Sequence, residues 1–89
     1  MVDTPLKPVR LTSHARLQCV ERGASEDEVL QAVREGDREP AKRGRTICRL
    51  NVEFGNTWQG SQYAVKQVVP VIVEEEREIV VVTVYTFHF

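Results

Sequence analysis

The chain has 89 residues and a mass of 10.2 kDa, which is the size of one domain. Its composition, 42% hydrophobic and 28% charged, excludes an intrinsically disordered chain. Nucleic-acid-binding proteins tend to be basic, so the net charge of −1 argues against one, although a local basic patch can still bind phosphates. No uncharged run approaches the roughly 20 residues that a membrane-spanning helix needs.

The first segment, residues 1–11, is predicted to be an extended lead-in to a single domain at 12–89. Within it, Val9 and Leu11 are expected either to form a short strand or to pack on the core. No basic segment precedes an apolar run at the start of the chain, so we expect no signal peptide. A cytoplasmic location is the expectation that follows.

The first predicted helix begins at a cap formed by Thr12 or Ser13 and continues to Arg22. Gly23 follows directly and suits the left-handed conformation that commonly ends a helix. An irregular apolar stripe along this segment gives the helix one face to bury.

The second predicted helix has the stronger local signal. Ser25 and Glu28 have the spacing of a capping box, in which each side chain bonds the other residue's backbone N–H. Gly36 is predicted to end this helix. Because only two or three residues separate the two helices, we expect an αα-hairpin.

Three strands are predicted after a loop at Asp37–Gly44, and short turns join them, which makes them antiparallel. These strands are Thr46–Phe54, Tyr63–Val73 and Ile79–His88. Pro70 within the second strand indicates an edge, a bulge or a break. The third strand is apolar on both faces, which predicts a central strand covered on both sides for much of its length.

Helices followed by strands indicate an α+β fold. We expect the N-terminal αα-hairpin to pack on one face of a three- to four-stranded antiparallel sheet. The opposite face of the sheet would then be open and available for function.

A basic stretch offers candidate phosphate ligands. It contains Lys42, Arg43, Arg45 and Arg49, and forked guanidinium groups suit phosphate oxygens. Because Arg45 and Arg49 are four residues apart on a predicted strand, they point to the same face. With Lys66 on the neighbouring strand they are predicted to form a cationic cluster on the uncovered side of the sheet. The alternative is ordinary surface charge, or an ion pair of Lys66 with a carboxylate such as Glu53 or Glu74.

Candidate catalytic residues are few. Histidine suits proton transfer near neutral pH, and the chain has His14 at a helix start and His88 near its end. For each, the alternative is a residue without a special role. Tyr85 is predicted either to pack its ring in the core or to transfer a proton. Trp58 is predicted either to stack on a base or to cap the core beside a loop.

No pattern in the chain predicts a metal or cofactor site. Cys19, Cys48 and the two histidines lack zinc-ligand spacing, and both cysteines lie in apolar settings typical of small core residues. A glycine-rich phosphate loop of the GxxxxGK type is absent from the sequence. We therefore expect neither a cofactor nor a metal.

Several segments of the chain resemble a bacterial family of small proteins, domain-of-unknown-function family 4258. The matching segments are Ser13–Ala15, Glu21–Ser25 with Glu28 and Val29, Pro40–Lys42 with Gly44 and Arg45, Trp58 with Gly60, Tyr63–Val68, and Glu74 with Val82–Phe89. That family is more distantly similar to the RelE/ParE and BrnT toxins, which are α+β proteins with an antiparallel sheet.

The resemblance implies a toxin of a toxin–antitoxin pair that acts as a metal-independent ribonuclease. Its implied partners are RNA and an antitoxin-like protein, and a homodimer built by edge pairing is a further expectation. Members of the toxin superfamily differ in their catalytic residues, so no catalytic signature carries over from the resemblance. From their own chemistry, the catalytic candidates are His14, Lys66, His88 and Tyr85, and the basic stretch is the candidate RNA-binding segment. The alternative function is a non-catalytic protein-binding module or partner-binding regulator.

Overall fold

Two helices and a five-stranded mixed sheet make up residues 7–89, the part of the chain that this computed structural model describes. The helices are α1, Ser13–Arg22, and α2, Glu26–Glu35, and the strands are β1, Val9–Leu11, β2, Asp37–Pro40, β3, Thr46–Trp58, β4, Ser61–Glu74, and β5, Ile79–His88. The α+β class is thus confirmed, with the helices on the N-terminal side. The predicted lead-in falls partly on residues 1–6, which lie outside the described range.

Local side-chain caps fix both helices where the sequence predicts them. The Thr12 hydroxyl accepts a hydrogen bond from the Ala15 N–H at 3.1 Å, at the start of α1. At the start of α2, Ser25 and Glu28 form both hydrogen bonds of a capping box. Gly23 ends α1 with a φ of 73°, and a Cβ there would lie 2.6 Å from the Trp58 ring. Glycine at position 23 therefore meets a steric demand as well as a conformational one.

The sheet has the order β1-β5-β4-β3-β2, with β1 parallel to β5 and the other pairs antiparallel. The expectation of three to four antiparallel strands is therefore wrong. Both alternatives for Val9 and Leu11 are present: they form strand β1, and Leu11 is buried in the core with Val9 packed against it. The predicted loop after α2 contains strand β2, whose four residues are all exposed. Strands this short pair through the backbone and carry no apolar alternation that would predict them.

The hairpin between β3 and β4 turns later than the sequence predicts. Residues 55–57 belong to β3, and the turn lies at Gln59 and Gly60, which have φ values of 51° and 84°. Two left-handed residues are what a tight two-residue hairpin requires. Gly55 instead lies at a register shift between Glu53 and Asn56, where a β-bulge increases the twist of the hairpin end.

Pro70 lies inside β4, which continues through it. The β3–β4 ladder has no pair between Ile47–Val71 and Leu50–Val68, where the proline withholds its N–H. A register shift follows between Val71 and Ile72. None of the three alternatives lies at Pro70 itself: β4 is an inner, unbroken strand, and the extra residue at the nearby register shift is Val82 on β5.

The core lies between the two helices and one face of the sheet. Its buried residues are Leu11, Ala15, Cys19, Val29, Ala32 and Val33 from the N-terminal half, and Cys48, Val68, Ile72, Ile79, Val81 and Val84 from the strands. Both cysteines are free and buried, as their apolar settings predicted. Within residues 7–89 no helix lies over the opposite face of the sheet, and we call it the open face.

Beyond Val81, the outer edge of β5 is covered by α1 and not by another strand. Gln18 Oε1 accepts a hydrogen bond from the Val84 N–H at 2.8 Å, and Arg22 donates to the Val84 carbonyl at 2.7 Å. The Thr86 hydroxyl donates to the carbonyl of Arg22 at 2.7 Å. These contacts satisfy backbone groups that would otherwise be free to pair with another chain.

The expectation that β5 is central and covered on both faces is wrong for its second half. There β5 is the last strand of the sheet, and Tyr85 and Phe87 point to the open face with 43% and 47% of their surfaces exposed. Among residues 7–89, no helix is long and apolar enough to cross a membrane.

Candidate nucleic-acid interface

Arg49, Val69 and Tyr85 form one row across the open face. Tyr85 pairs with Val69 across β5 and β4, and Arg49 precedes Leu50, which pairs with Val68. Directly opposed residues of antiparallel strands share a face and lie about 5 Å apart. Together with Ile47 these residues border an open groove, whose full lining is Ile47, Arg49, Val69, Val71, Tyr85 and Phe87.

A second groove continues the first toward the turn between β2 and β3. It shares Ile47, Val71 and Tyr85 with the first groove and adds the basic residues Lys42, Arg43 and Arg45. Arg45 and Arg49 thus border two grooves that share Ile47, Val71 and Tyr85, although Arg45 lies just before β3 and not on it. In the described part of the chain, Lys42, Arg43 and Arg45 have no carboxylate within salt-bridge distance.

The turn geometry explains why the basic residues are presented together. Arg43 and Gly44 are both left-handed, with φ values of 62° and 70°, and the Ala41 N–H donates to the Arg45 carbonyl at 2.8 Å. The chain therefore reverses within a few residues, and adjacent cationic side chains remain at the same end of the sheet. Their like charges are tolerated because these positions face solvent.

Arg49 is engaged in a polar network rather than free. Its Nε donates to Glu39 at 2.8 Å, and its Nη1 donates to the Gln67 side chain at 3.4 Å. Gln67 in turn donates to Asn51 at 2.9 Å. The Arg49–Glu39 pair is about half exposed on both sides, so its stability in water is small and a stronger anion can compete for the guanidinium.

Lys66 lies on the opposite side of the sheet from these arginines, so the prediction of a three-residue cationic cluster is wrong. Only 6% of Lys66 is exposed, and its ammonium donates to Glu28 at 2.8 Å and to the Gly23 carbonyl at 2.9 Å. Burial opposes ionisation of Glu28, yet the hydrogen bonds from Lys66 and Ser25 outweigh it and lower the pKa of this carboxyl. Lys66 is thus ion-paired beneath α2, as one alternative predicted. Its partner is Glu28 and not Glu53 or Glu74.

His88 is paired in register with Lys66 and lies on the same side of the sheet. Its ring stacks on Trp58 at a centroid distance of 5.1 Å and meets the edge of Phe54 at 5.0 Å. Its Nε2 is buried and has no hydrogen-bond partner among residues 7–89. Burial and, to a smaller extent, the Lys66 ammonium lower the pKa of His88 from its ordinary 6.5. Trp58 packs against both His88 and Gly23.

The structure therefore divides the predicted catalytic residues among three places. Lys66 and His88 lie together on the helix side of the sheet, beside the rings of Phe54 and Trp58. Tyr85 lies on the open face, and His14 is exposed on α1. Tyr85 is the one of the four that shares a groove with the basic residues. A guanidinium also lies over its ring, with Arg22 Cζ 4.9 Å from the centroid, which is a cation–π contact at the edge of the sheet.

Sequence reasoning missed Phe87 and Glu39 as residues of the open face. Phe87 alternates with Tyr85 along β5, and that period of two was the available signal. Glu39 lies opposite Ile47 in β2, which the sequence does not predict.

Comparisons of the chain with family models, with curated proteins and with solved structures found no match. The resemblance to the domain-of-unknown-function family and to RelE/BrnT toxins therefore stays a prediction.

Proposed function

We propose that this protein binds single-stranded RNA on the open face and cleaves it without a metal ion, as a toxin similar to the RelE/BrnT kind. The observation that carries the proposal is that Arg49 and Tyr85 lie in one row and border one groove. This arrangement joins a phosphate ligand, a proton-transfer group and an exposed aromatic ring on a single accessible surface.

RNA binding is supported by the combination of charge and aromatic area. Tyr85 and Phe87 present exposed rings on which bases can stack, and stacking of a base on an aromatic side chain typically contributes about 1–3 kcal/mol. Lys42, Arg43 and Arg45 border the adjoining groove and can neutralise backbone phosphates. The near-neutral total charge is compatible with this role, because the cations are concentrated at one end of the sheet.

Cleavage of RNA without metal needs a base for the 2′-hydroxyl, an acid for the leaving 5′-oxygen and a cation for the phosphate. Arg49 supplies the cation, and the Tyr85 hydroxyl supplies one of the two proton-transfer groups. Lys66, His88 and His14 are not part of this proposal, since Lys66 and His88 lie on the helix side of the sheet and His14 is on α1. Action on RNA carries with it the proposal of a cytoplasmic location.

The test is cleavage of a labelled single-stranded RNA by purified protein in EDTA. We expect cleavage by the wild type, a loss of about 100-fold or more in rate with Tyr85→Phe, and weaker RNA binding with Arg45→Ala. Tyr63→Phe and Arg77→Ala are the matched controls, because neither residue borders the two grooves of the open face. RNA that stays intact with wild-type protein would contradict the proposed ribonuclease.

A second candidate function is a non-catalytic protein-binding module that pairs with an antitoxin-like protein or a second copy of the chain. The observation that favours it is the exposed apolar area of Tyr85, Phe87 and Phe89 beside an Arg49 that a carboxylate already neutralises. Recovery of a stoichiometric protein partner, with no RNA cleavage and with loss of that partner in Phe87→Ser, would establish this function instead.

A further inference from the structure

We infer that the carboxylate of Glu39 is the catalytic base that takes the 2′-hydroxyl proton, with Tyr85 as the acid on the other side of the phosphate. This inference rests on the proposed function and names a residue for which the sequence offers no motif. It depends on one contact of the open face, the ion pair that Glu39 forms with Arg49.

The position of Glu39 follows from the strand register. Glu39 pairs with Ile47 across β2 and β3, so its side chain projects to the open face beside Arg49. One carboxylate oxygen, Oε1, accepts from Arg49 Nε at 2.8 Å. The other oxygen, Oε2, makes no hydrogen bond to any residue in the range 7–89 and is free to accept a proton from a ligand.

The pair is suited to hold a phosphate and the adjacent 2′-hydroxyl at the same time. Arg49 Nη2 makes no hydrogen bond within the described chain, so a phosphate oxygen can bind there while Nε retains Glu39. The carboxylate then lies next to the ribose that carries the attacking oxygen. Because half of the Glu39 side chain is exposed, a bound nucleotide can reach it without opening the fold.

Glu39 shares the open face with two other carboxylates, and the contacts distinguish it from them. Asp37 pairs with Arg49 in register but makes no hydrogen bond to it, and Glu53 lies further along β3. Among the carboxylates of residues 7–89, only Glu39 makes a hydrogen bond to the guanidinium that would hold the scissile phosphate.

The proposed step balances in protons and bonds. The 2′-hydroxyl transfers its proton to Glu39 Oε2 while the 2′-oxygen forms a bond to phosphorus. The bond from phosphorus to the 5′-oxygen breaks, and the Tyr85 hydroxyl donates a proton to that leaving oxygen. The products are a 2′,3′-cyclic phosphate and a 5′-hydroxyl, and solvent returns a proton to Tyr85 and removes one from Glu39.

The experiment compares Glu39→Gln with wild type in single-turnover cleavage of a single-stranded RNA in EDTA. We expect the rate to fall about 100-fold or more, which is the usual contribution of a general base. Binding of a non-cleavable 2′-O-methyl RNA is expected to stay equal or to tighten, because the substitution removes a negative charge beside Arg49.

Glu53→Gln and Asp37→Asn are the matched controls, and both are expected to cleave at close to the wild-type rate. Undiminished cleavage by Glu39→Gln, or a defect confined to RNA binding, would overturn the assignment of the base and leave the ribonuclease intact. A larger rate loss in Asp37→Asn than in Glu39→Gln would overturn it as well. A wild-type protein that cleaves no RNA would overturn the ribonuclease together with its base.

Discussion

His88 and Lys66 have side chains with catalytic chemistry, and both lie on the helix side of the sheet. Lys66 is buried and bonds Glu28, whereas His88 is half-buried beside it and stacks on Trp58. A buried ammonium with a carboxylate partner is far less costly than one without it, which is why the pair is retained together. The unpartnered Nε2 of His88 tolerates burial best when the ring is neutral.

The lowered pKa of His88 predicts a pH-dependent stability. In the unfolded chain His88 titrates near its ordinary value of 6.5, whereas in the fold its pKa is lower because burial and Lys66 disfavour the charged ring. The unfolded state therefore binds the proton more readily. The contribution of His88 to the free energy of unfolding is fully present above about pH 6.5 and is lost as the pH falls through that region. The lowered pKa of Glu28 affects stability in a separate pH range, below the ordinary pKa of 4.5 for this carboxyl.

Urea unfolding at pH 8 and pH 5.5 measures this effect. We expect the wild-type midpoint to be lower at pH 5.5, and His88→Phe, which keeps a ring against Trp58, to remove most of the difference. His14→Gln is the control and is expected to keep the wild-type pH dependence. A wild-type midpoint that is unchanged or higher at pH 5.5 would contradict the account of His88.

At the level of elements, the contacts between α1 and the outer edge of β5 fix how the helix pair lies on the sheet. Gln18 is one of two buried polar or charged residues within the described range, and it accepts the hydrogen bond of the Val84 N–H at 2.8 Å. That N–H has no strand partner, so its hydrogen bonding depends on one side-chain oxygen.

Gln18→Met tests this dependence, because methionine keeps the side-chain length and cannot replace the acceptor well. We expect the free energy of unfolding to fall by about 1–3 kcal/mol, the usual cost of leaving a buried donor unsatisfied. Gln31→Met on the exposed side of α2 is the matched control, for which we expect a change within about 0.5 kcal/mol. Equal unfolding midpoints in urea for the two variants would show that this edge contact is dispensable.

The elements that the sequence predicts correctly are those with a local signal. The capping residues Thr12 and Ser25 and the alternation of β5 are readable without tertiary context. The missed strand β2 is four residues long and pairs through its backbone, and β1, three residues long, was predicted only as one of two alternatives. Gly55 carries the composition of a hairpin turn, yet it lies in a bulge because the strand continues to Trp58.

The candidate site was predicted in part for the same physical reasons. Arg49 is on β3 as predicted, whereas Arg45 lies in the turn just before the strand and borders the adjoining groove. The face of Lys66 was not predictable, because both parities of its strand are apolar and neither marks the core side. The exposure of Tyr85 depends on β5 having no strand beside its second half, which is a property of the whole sheet.

In the whole molecule, the two faces of the sheet differ in chemistry. The helix side holds the core and the ion-paired Lys66, and the open face carries the exposed rings of Tyr85 and Phe87 with the basic turn at one end. The proposed ribonuclease requires RNA to bind the open face and leave the helix side unaffected.

Titration of isotope-labelled protein with a short single-stranded 2′-O-methyl RNA, followed by backbone amide NMR, tests this claim most directly. We predict that the largest shift changes occur at residues 42–49 and 83–87, with little change along α1 and α2. Changes concentrated on the two helices, or no change at saturating RNA, would contradict the account.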